Sequence, residues 1–409
     1  MRVLYIHQYF ATPDSATGTR SYEFARRLVR RGHPVMVLTG PTHLGSIVPP
    51  GADRVYRTEC EGISLIVANV PYHQTMGYLR RLLSFALFAL LATWLALRLP
   101  RPDVTYATST PLTVFLPALA LRLLRRVPYV FEVRDVWPAV PAGMGLIRNR
   151  AIIALSKWLE RRAYLGSSHI VPLSPGMETL VRATIGERRP VTVIPNCADL
   201  EPPGPGDTTA VRCRRGWNDR CVLVHTGALG RINGLDAVIR AADVLRDERA
   251  ALFVLVGEGR ERASLEEEVA RRGLSNVAFT GTLPKRQMPE LLAAADVCLV
   301  TMAPFAVLEH NSANKFFDAL AAGKPVVLNY SGWQRQVLES AGAGFGCTQG
   351  DESEFVARLG ELIRSPELRR KMGHNARRLA EARFSRQDGY QKFEAVLRSV
   401  VGGGRRPDR

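Results

Sequence analysis

Short, β-rich apolar runs alternate with stretches of helical period along almost the entire chain. The first half predicts strands near 2–7, 35–39, 63–69, 103–107, 128–133, 169–173 and 191–195, with helices near 19–31, 79–98, 112–125, 148–165 and 175–185 between them. Such alternation predicts a parallel sheet covered by helices on both faces. The rhythm breaks at Glu201-Pro202-Pro203-Gly204-Pro205-Gly206-Asp207, which has the density of turn formers and breakers of an interdomain linker. It then restarts, with strands near 221–226, 251–256, 277–280, 296–300 and 326–329 and helices near 234–247, 260–272, 287–295, 313–322 and 353–364. The expected architecture is α/β: two Rossmann-like, doubly wound domains over 1–200 and 208–384, joined by a linker at 201–207 and facing a central cleft. A last helix near 385–401 is expected to cross back to the first domain, and 402–409 to form a disordered tail. Ligands in such sheets sit outside the carboxyl ends of the strands, so candidate chemistry is sought there.

One segment departs from the rhythm. Residues 82–97 carry no charge and are flanked by Arg80, Arg81, Arg98 and Arg101. As a helix they reach roughly 24 Å, short of the roughly 30 Å hydrocarbon core of a bilayer. A helix apolar all round is either covered on every side or in lipid. The second alternative is a monotopic helix dipping into the cytoplasmic leaflet, with Trp94 and the arginines at headgroup level. Arg122, Arg125 and Arg126 end the next apolar stretch and tilt the reading toward lipid.

Length and composition narrow the class. A chain of 409 residues, 46% apolar and 23% charged, has the make-up of a soluble globular protein of two domains and excludes disorder and a polytopic membrane protein. The formal charge is +17, and residues 1–200 hold 24 basic against 12 acidic side chains, so the first domain is the one that seeks an anionic partner. No finger spacing or repeated aromatic-basic stripe points to nucleic acid. The six cysteines are scattered singly, which fits a reducing cytoplasm and neither a structural zinc nor a disulfide framework. Met1 to His7 reads as a first strand and not as a secretory leader. The expected location is therefore cytoplasmic, peripheral or monotopic on the inner face of the plasma membrane.

Three places carry candidate chemistry. The first is the helix near 313–322, which Asn311-Ser312 can cap and Gly323 stops. Asn314, Lys315 and Asp318 share one face of it. Free N–H groups, a positive dipole end and a lysine there could hold a diphosphate, and Asp318 could accept from ribose hydroxyls; a plain surface Lys–Asp pair is the alternative. The second is the glycine turns after strands: Gly227 to Gly234, with Arg231 and Asn233, and Gly257-Glu258-Gly259. Glycine there lets backbone approach a phosphate, and Arg231 can neutralise it. A third such loop runs to Gly18 and leads into a helix through Arg20. None has the spacing of a dinucleotide or Walker fingerprint. The third place is the carboxyl end of the strand near 128–133, where Glu132 and Asp135 could orient or deprotonate a hydroxyl, or form an ion-pair cluster with Arg134. No spacing implies a bound metal.

Taken together, seven strings in this order resemble the family-4 retaining glycosyltransferases of the GT-B fold over essentially the full chain: Tyr5-Ile6-His7-Gln8-Tyr9-Phe10, Gly18-Thr19-Arg20-Ser21-Tyr22-Glu23, Ala107-Thr108-Ser109-Thr110-Pro111-Leu112, Phe131 to Pro138, Ile194-Pro195-Asn196, Asn233-Gly234-Leu235-Asp236 and Asn314-Lys315-Phe316-Phe317-Asp318. The likeness is to the bacterial subgroup of WbuB-like L-fucosamine transferases of O-antigen synthesis and WcaI-like colanic acid enzymes. It implies a nucleotide-sugar donor, usually a UDP-sugar, on the second domain, a polyprenyl-diphosphate-linked sugar acceptor on the first, and no divalent metal or other cofactor. Carried onto this chain, it places Gly257 and Glu258 near the diphosphate and nucleoside, the backbone of Leu283 against the base, Lys315 toward the phosphates and Asp318 toward ribose. Gly18 matches a loop that closes on the phosphates, and Asp135 a residue facing the reacting sugar or acceptor. Two positions depart from the family pattern: the first acid of its Glu-x7-Glu signature falls at His310, beside Glu309, and its Arg and Lys after the first strand of the second domain become Ala228 and Asn233. The resemblance thus implies sugar transfer with retention, with Lys315, Arg231, Glu132 and Asp135 as the catalytic set. A UDP-sugar epimerase and an inactive membrane-associated scaffold are the alternatives.

Overall fold

The computed structural model describes residues 1–47, 53–72, 76–200 and 208–403; the segment read as a linker, 201–207, and the end of the tail, 404–409, lie outside them. The described residues form two compact units, Met1–Pro195 with those from Gly389 to Gly403, and Asn196–Asp388. The division falls at Pro195, earlier than the proline-rich segment suggests, because Asn196 already belongs to the second unit, where its amide Nδ2 donates to the carbonyl of Ser312 at 2.6 Å.

The first unit is built on a seven-stranded sheet. Its strands are β1 (Val3–Ile6), β2 (Val35–Thr39), β3 (Val55–Cys60), β4 (Ile63–Ala68), β5 (Val104–Thr108), β6 (Tyr129–Val133) and β7 (His169–Pro172), in the order β3-β4-β2-β1-β5-β6-β7. All neighbours are parallel except β3, which runs antiparallel to β4 at the edge. The alternation of β1 sorts the two faces. Leu4 and Ile6 join Phe88, Phe115 and Phe131 in one core, while Tyr5 lies tilted against Tyr106 and, with Phe24, meets Phe393 of the helix Arg386–Gly403 on the other. Glu394 ties that helix to the first unit by pairing with Arg31 at 2.6 Å, and within the helix it also takes Arg398 at 2.7 Å. The strand expected at 191–195 is only a single bridge between Ile170 and Val191.

The second unit holds a six-stranded sheet, wholly parallel: β8 (Cys221–Thr226), β9 (Ala251–Val256), β10 (Val277–Gly281), β11 (Val297–Val300), β12 (Val326–Leu328) and β13 (Gly344–Gly346), in the order β10-β9-β8-β11-β12-β13. Strands buried on both faces read as continuous apolar runs, as β9 does with every residue buried. The helices Trp333–Ser340 and Pro366–Arg383 complete the layers. The latter was hidden in the sequence by charge. Its inner stripe is only Met372, Gly373, Ala376, Leu379 and Ala380, and Gly373 packs so closely on Gly323 that a Cβ would lie 2.3 Å from its carbonyl oxygen.

Residues 82–97 lie in the helix Tyr78–Arg98 and are neither covered on every side nor free. Phe88, Ala92 and Ala96 are buried in the first core, whereas Leu83, Leu87, Leu90 and Trp94 are exposed. The buried stripe covers β2 and β4, so the helix could not cross a bilayer without uncovering the sheet.

Candidate functional site

In the second sheet β8, β9 and β10 follow one another outward, and β11 returns to the other side of β8. Such a reversal opens a crevice at the strands' carboxyl ends. Two loops meet there. The amide of Gly227, just after β8, donates to the carbonyl of Val256 at 2.9 Å, and that of Leu229 to Glu258 at 2.9 Å. The approach demands glycine: Gly257 has φ +148°, and a Cβ there would lie 1.8 Å from the carbonyl oxygen of Gly227. Gly227 has φ +126°, and the Cε and Nζ of Lys315 lie 3.7 Å from where its Cβ would stand.

Lys315 opens the helix Asn314–Ala321, reached from β11. Its Nζ donates to Oδ1 of Asn233 at 2.7 Å and lies 3.3 Å from Nε2 of His225. Burial pushes the lysine down to about 7. Burial, and then Lys315, hold His225 well below its ordinary value, so it meets the ammonium as a neutral imidazole. The Asn311-Ser312 cap suggested by the sequence is not made. Ser312 accepts from Asn196 instead, the amide of Asn311 donates to Leu308, and Ala313, at the N-cap position, offers no side-chain cap. Its first-turn N–H groups therefore add their partial positive charge beside Lys315, an arrangement suited to an anion.

Asp318 and Lys315, although on one helix face, do not pair. Asp318 takes the ammonium of Lys285, which follows β10, at 2.5 Å. Leu283 lies half-buried in the loop between β10 and Lys285. Asn314 is half-buried at the helix start, and His310 ends the 3-10 turn Ala306–His310. Glu258 pairs with Arg262, one turn on. Arg231 is exposed, with its guanidinium 6.0 Å from the ring centre of Phe305. The structure thus gathers Gly227, Asn233, Gly257 and Lys315 around one crevice. Asn233, which stands where the family pattern has a cation, serves as the acceptor that fixes a cation from elsewhere. His225, an isolated histidine that reads from sequence as structural, and Lys285, which the sequence did not single out, join the site; their one signal was position, at or shortly after the end of a strand.

In the first sheet the order reverses between β1 and β5. His7 follows β1, Ser109 and Thr110 follow β5, and Arg134 and Asp135 follow β6. With Gly18 and Tyr9 they line a hollow of about 200 Å³. Asp135 is exposed and accepts from the Thr110 hydroxyl at 2.6 Å. Arg134 donates its backbone amide to Ser109 at 3.0 Å and brings its guanidinium within 3.3 Å of His7. Burial, Arg134 and His43 keep His7 neutral.

Glu132 and Arg20 do not belong to that hollow, which corrects the roles expected of them. Glu132 is fully buried and accepts from Arg20 and Tyr106, both at 2.8 Å, and from Thr108 at 2.5 Å. Burial raises its carboxyl, but Arg20, Arg134 and the two hydroxyls outweigh that and hold it below the usual range. It is a sealed carboxylate with no path to a substrate hydroxyl. Arg20 also donates to the carbonyls of Ile194 and Pro195, tying the end of the first unit to its centre, and is itself buried away from the hollow's lining. Alternation along β6 put Glu132 on the inside; the sequence could not show that Arg20, Tyr106 and Thr108 would satisfy it.

Residues 15–197 match the glycosyl transferase 4-like domain family, and residues 212–379 the glycosyl transferases group 1 family. The chain is 25% identical to the probable glycosyltransferase WbjE of Pseudomonas aeruginosa over 74% of its length and 76% of that protein's. It is 25% identical to the putative colanic acid biosynthesis glycosyl transferase WcaI of Escherichia coli over 96% of its length and 98% of that protein's. Among solved structures, sucrose-phosphate synthase from Thermosynechococcus elongatus superposes with a TM-score of 0.77 at 14% identity, covering 98% of this chain and 100% of that one. Anabaena HepE, solved in complex with UDP and glucose, superposes with a TM-score of 0.72 at 21% identity and the same coverage.

Proposed function

The chain belongs to the glycosyltransferases of the GT-B fold, joining a 4-like first domain to a group 1 second domain, and from that premise we propose that it moves a sugar from a UDP-sugar to a polyprenyl-diphosphate-linked acceptor, with retention of configuration, in cell-surface polysaccharide synthesis of the O-antigen or capsule kind. The observation that carries the donor half is Lys315, poised over the glycine crevice by Asn233. The diphosphate departs as the bond from the anomeric carbon to phosphate oxygen breaks. Lys315, the free amides of its helix and, from the rim, Arg231 stabilise the charge that grows there. The acceptor oxygen bonds to the same face of that carbon and passes its proton to the departing phosphate oxygen. Asp318, held by Lys285, accepts from the ribose hydroxyls, Leu283 meets the base, and Asp135 with Thr110 orients the acceptor hydroxyl. The crevice offers cations and amides to the diphosphate, which is the donor set of metal-independent transfer. The relatives' names support the pathway, and HepE's complexes support the nucleotide.

The purified protein, given a panel of UDP-sugars, is expected to release UDP only when a short-chain polyprenyl-diphosphate sugar is also present. Interconversion of the donor sugar without acceptor would identify an epimerase instead, and failure to bind UDP at all would identify an inactive scaffold.

A further inference from the structure

The sequence singled out one apolar helix, and the structure shows that it is not alone. The helix Phe115–Arg125 packs against both Tyr78–Arg98 and Arg150–Gly166, and each of the three carries large apolar side chains to the outside. Leu90, Leu123 and Leu124 are each 70% exposed, and Leu155 stands out from the third helix. The outer helices repeat one device. Trp94 is 49% exposed with the guanidinium of Arg98 3.7 Å from its ring centre, and Trp158 is 54% exposed with that of Arg162 at 5.2 Å. Ordinary soluble surfaces scatter such residues singly.

Charge says what covers this face. The stretches 80–101, 122–126 and 148–162 hold twelve arginines and lysines and one acid, Glu160. Glu160 is buried, takes the Tyr164 hydroxyl at 2.9 Å, and is pushed by burial up to about 7. A protein partner or a second copy of the chain would have to answer a surface both strongly basic and apolar. An anionic bilayer does so directly, taking leucines and indole rings into the acyl boundary and arginines among the phosphates.

We infer that the three helices Tyr78–Arg98, Phe115–Arg125 and Arg150–Gly166 form a single docking face for an anionic lipid bilayer, anchored at two points by the Trp94–Arg98 and Trp158–Arg162 pairs. It extends the lipid-linked-acceptor reading but stands on residues that touch neither hollow nor crevice. The second anchor is what the face adds to a lone dipping helix.

Co-sedimentation of the full chain with vesicles tests it. Binding to phosphatidylcholine vesicles containing phosphatidylglycerol is expected to be at least about tenfold tighter than to phosphatidylcholine alone, and to weaken with salt. Trp158→Glu, Leu124→Glu and Trp94→Glu should each weaken it by about tenfold or more. Val244→Glu, an exposed apolar site on the second unit, should leave it unchanged. Because these side chains are exposed, circular dichroism should show wild-type folding in every variant. Loss on Trp94→Glu with full binding by Trp158→Glu would overturn the joint face, as would a stable dimer dissolved by Leu124→Glu without vesicle binding. UDP release with a detergent-soluble acceptor, intact in the vesicle-defective variants, would separate failure of the face from failure of the transfer reaction.

Discussion

Replacing Lys315 with Ala is expected to lower acceptor-dependent UDP release by about 100- to 1000-fold, the effect of removing one donor aimed at charge that develops in a transition state. Among the described residues the lysine has no carboxylate partner, its Nζ being bound to a neutral amide oxygen at 2.7 Å, so its charge is left for a ligand to neutralise. Protonation must then limit donor binding. Burial pushes the ammonium of Lys315 down to about 7 in the unliganded protein. Below that pH the cation is present and the diphosphate binds without proton uptake. Above it, binding must first load the lysine, and the dissociation constant for a UDP-sugar should rise by up to about tenfold per pH unit until the bound form's own titration is reached. Lys315→Arg, charged at any accessible pH, should bind with no such slope. Titration calorimetry across pH 6 to 9 reads both variants. Stability moves the opposite way. The folded pKa lies below the unfolded one, so the unfolded chain carries more protons above about pH 7 and wild-type stability should rise as pH climbs through that window. Lys315→Met should lose this rise and melt no lower than wild type at pH 7.

The second large effect falls on folding and not on rate. Glu132→Ala removes one partner from a buried, fully bonded ion pair and strands the Arg20 guanidinium, which is 3% exposed. Breaking such a pair costs about 3–5 kcal/mol, enough to shift the denaturation midpoint of the first unit markedly. Glu132 is held below the ordinary carboxylate range, so its contribution is present above that range and is lost as pH falls through its folded value. Urea titration followed by tryptophan fluorescence would check it. A variant with wild-type stability and a collapsed rate would return Glu132 to the catalytic set.

What the sequence made legible follows from how each element is stabilised. Strands buried on both faces, such as β8 and β9, are continuous apolar runs and stand out wherever they occur. The edge strand β3, with the alternating Arg57-Thr58-Glu59-Cys60 and only one side against the sheet, shows no such run. The helix Pro366–Arg383 hides behind its charges because small residues do its packing. Glycines 227 and 257 were readable because their backbone has no alternative residue. The partners of polar side chains were not. Lys315 with Asn233 joins positions brought together only by the return of β11 beside β8, and Asp318 with Lys285 depends on where β10 ends. Helix periodicity put Lys315 and Asp318 on one face, and the contacts across the sheet gave them different partners, Asn233 and Lys285.

The central claim is that the crevice between the ends of β8, β9 and the helix Asn314–Ala321 holds a nucleotide diphosphate through Lys315. A crystal soaked in UDP tests it most directly. The expected density places phosphate oxygens within hydrogen-bonding distance of the Lys315 ammonium and the amides at the start of its helix, with the ribose hydroxyls on Asp318. UDP bound elsewhere, or a crevice still closed by the Lys315–Asn233 contact with no phosphate in reach, would contradict it.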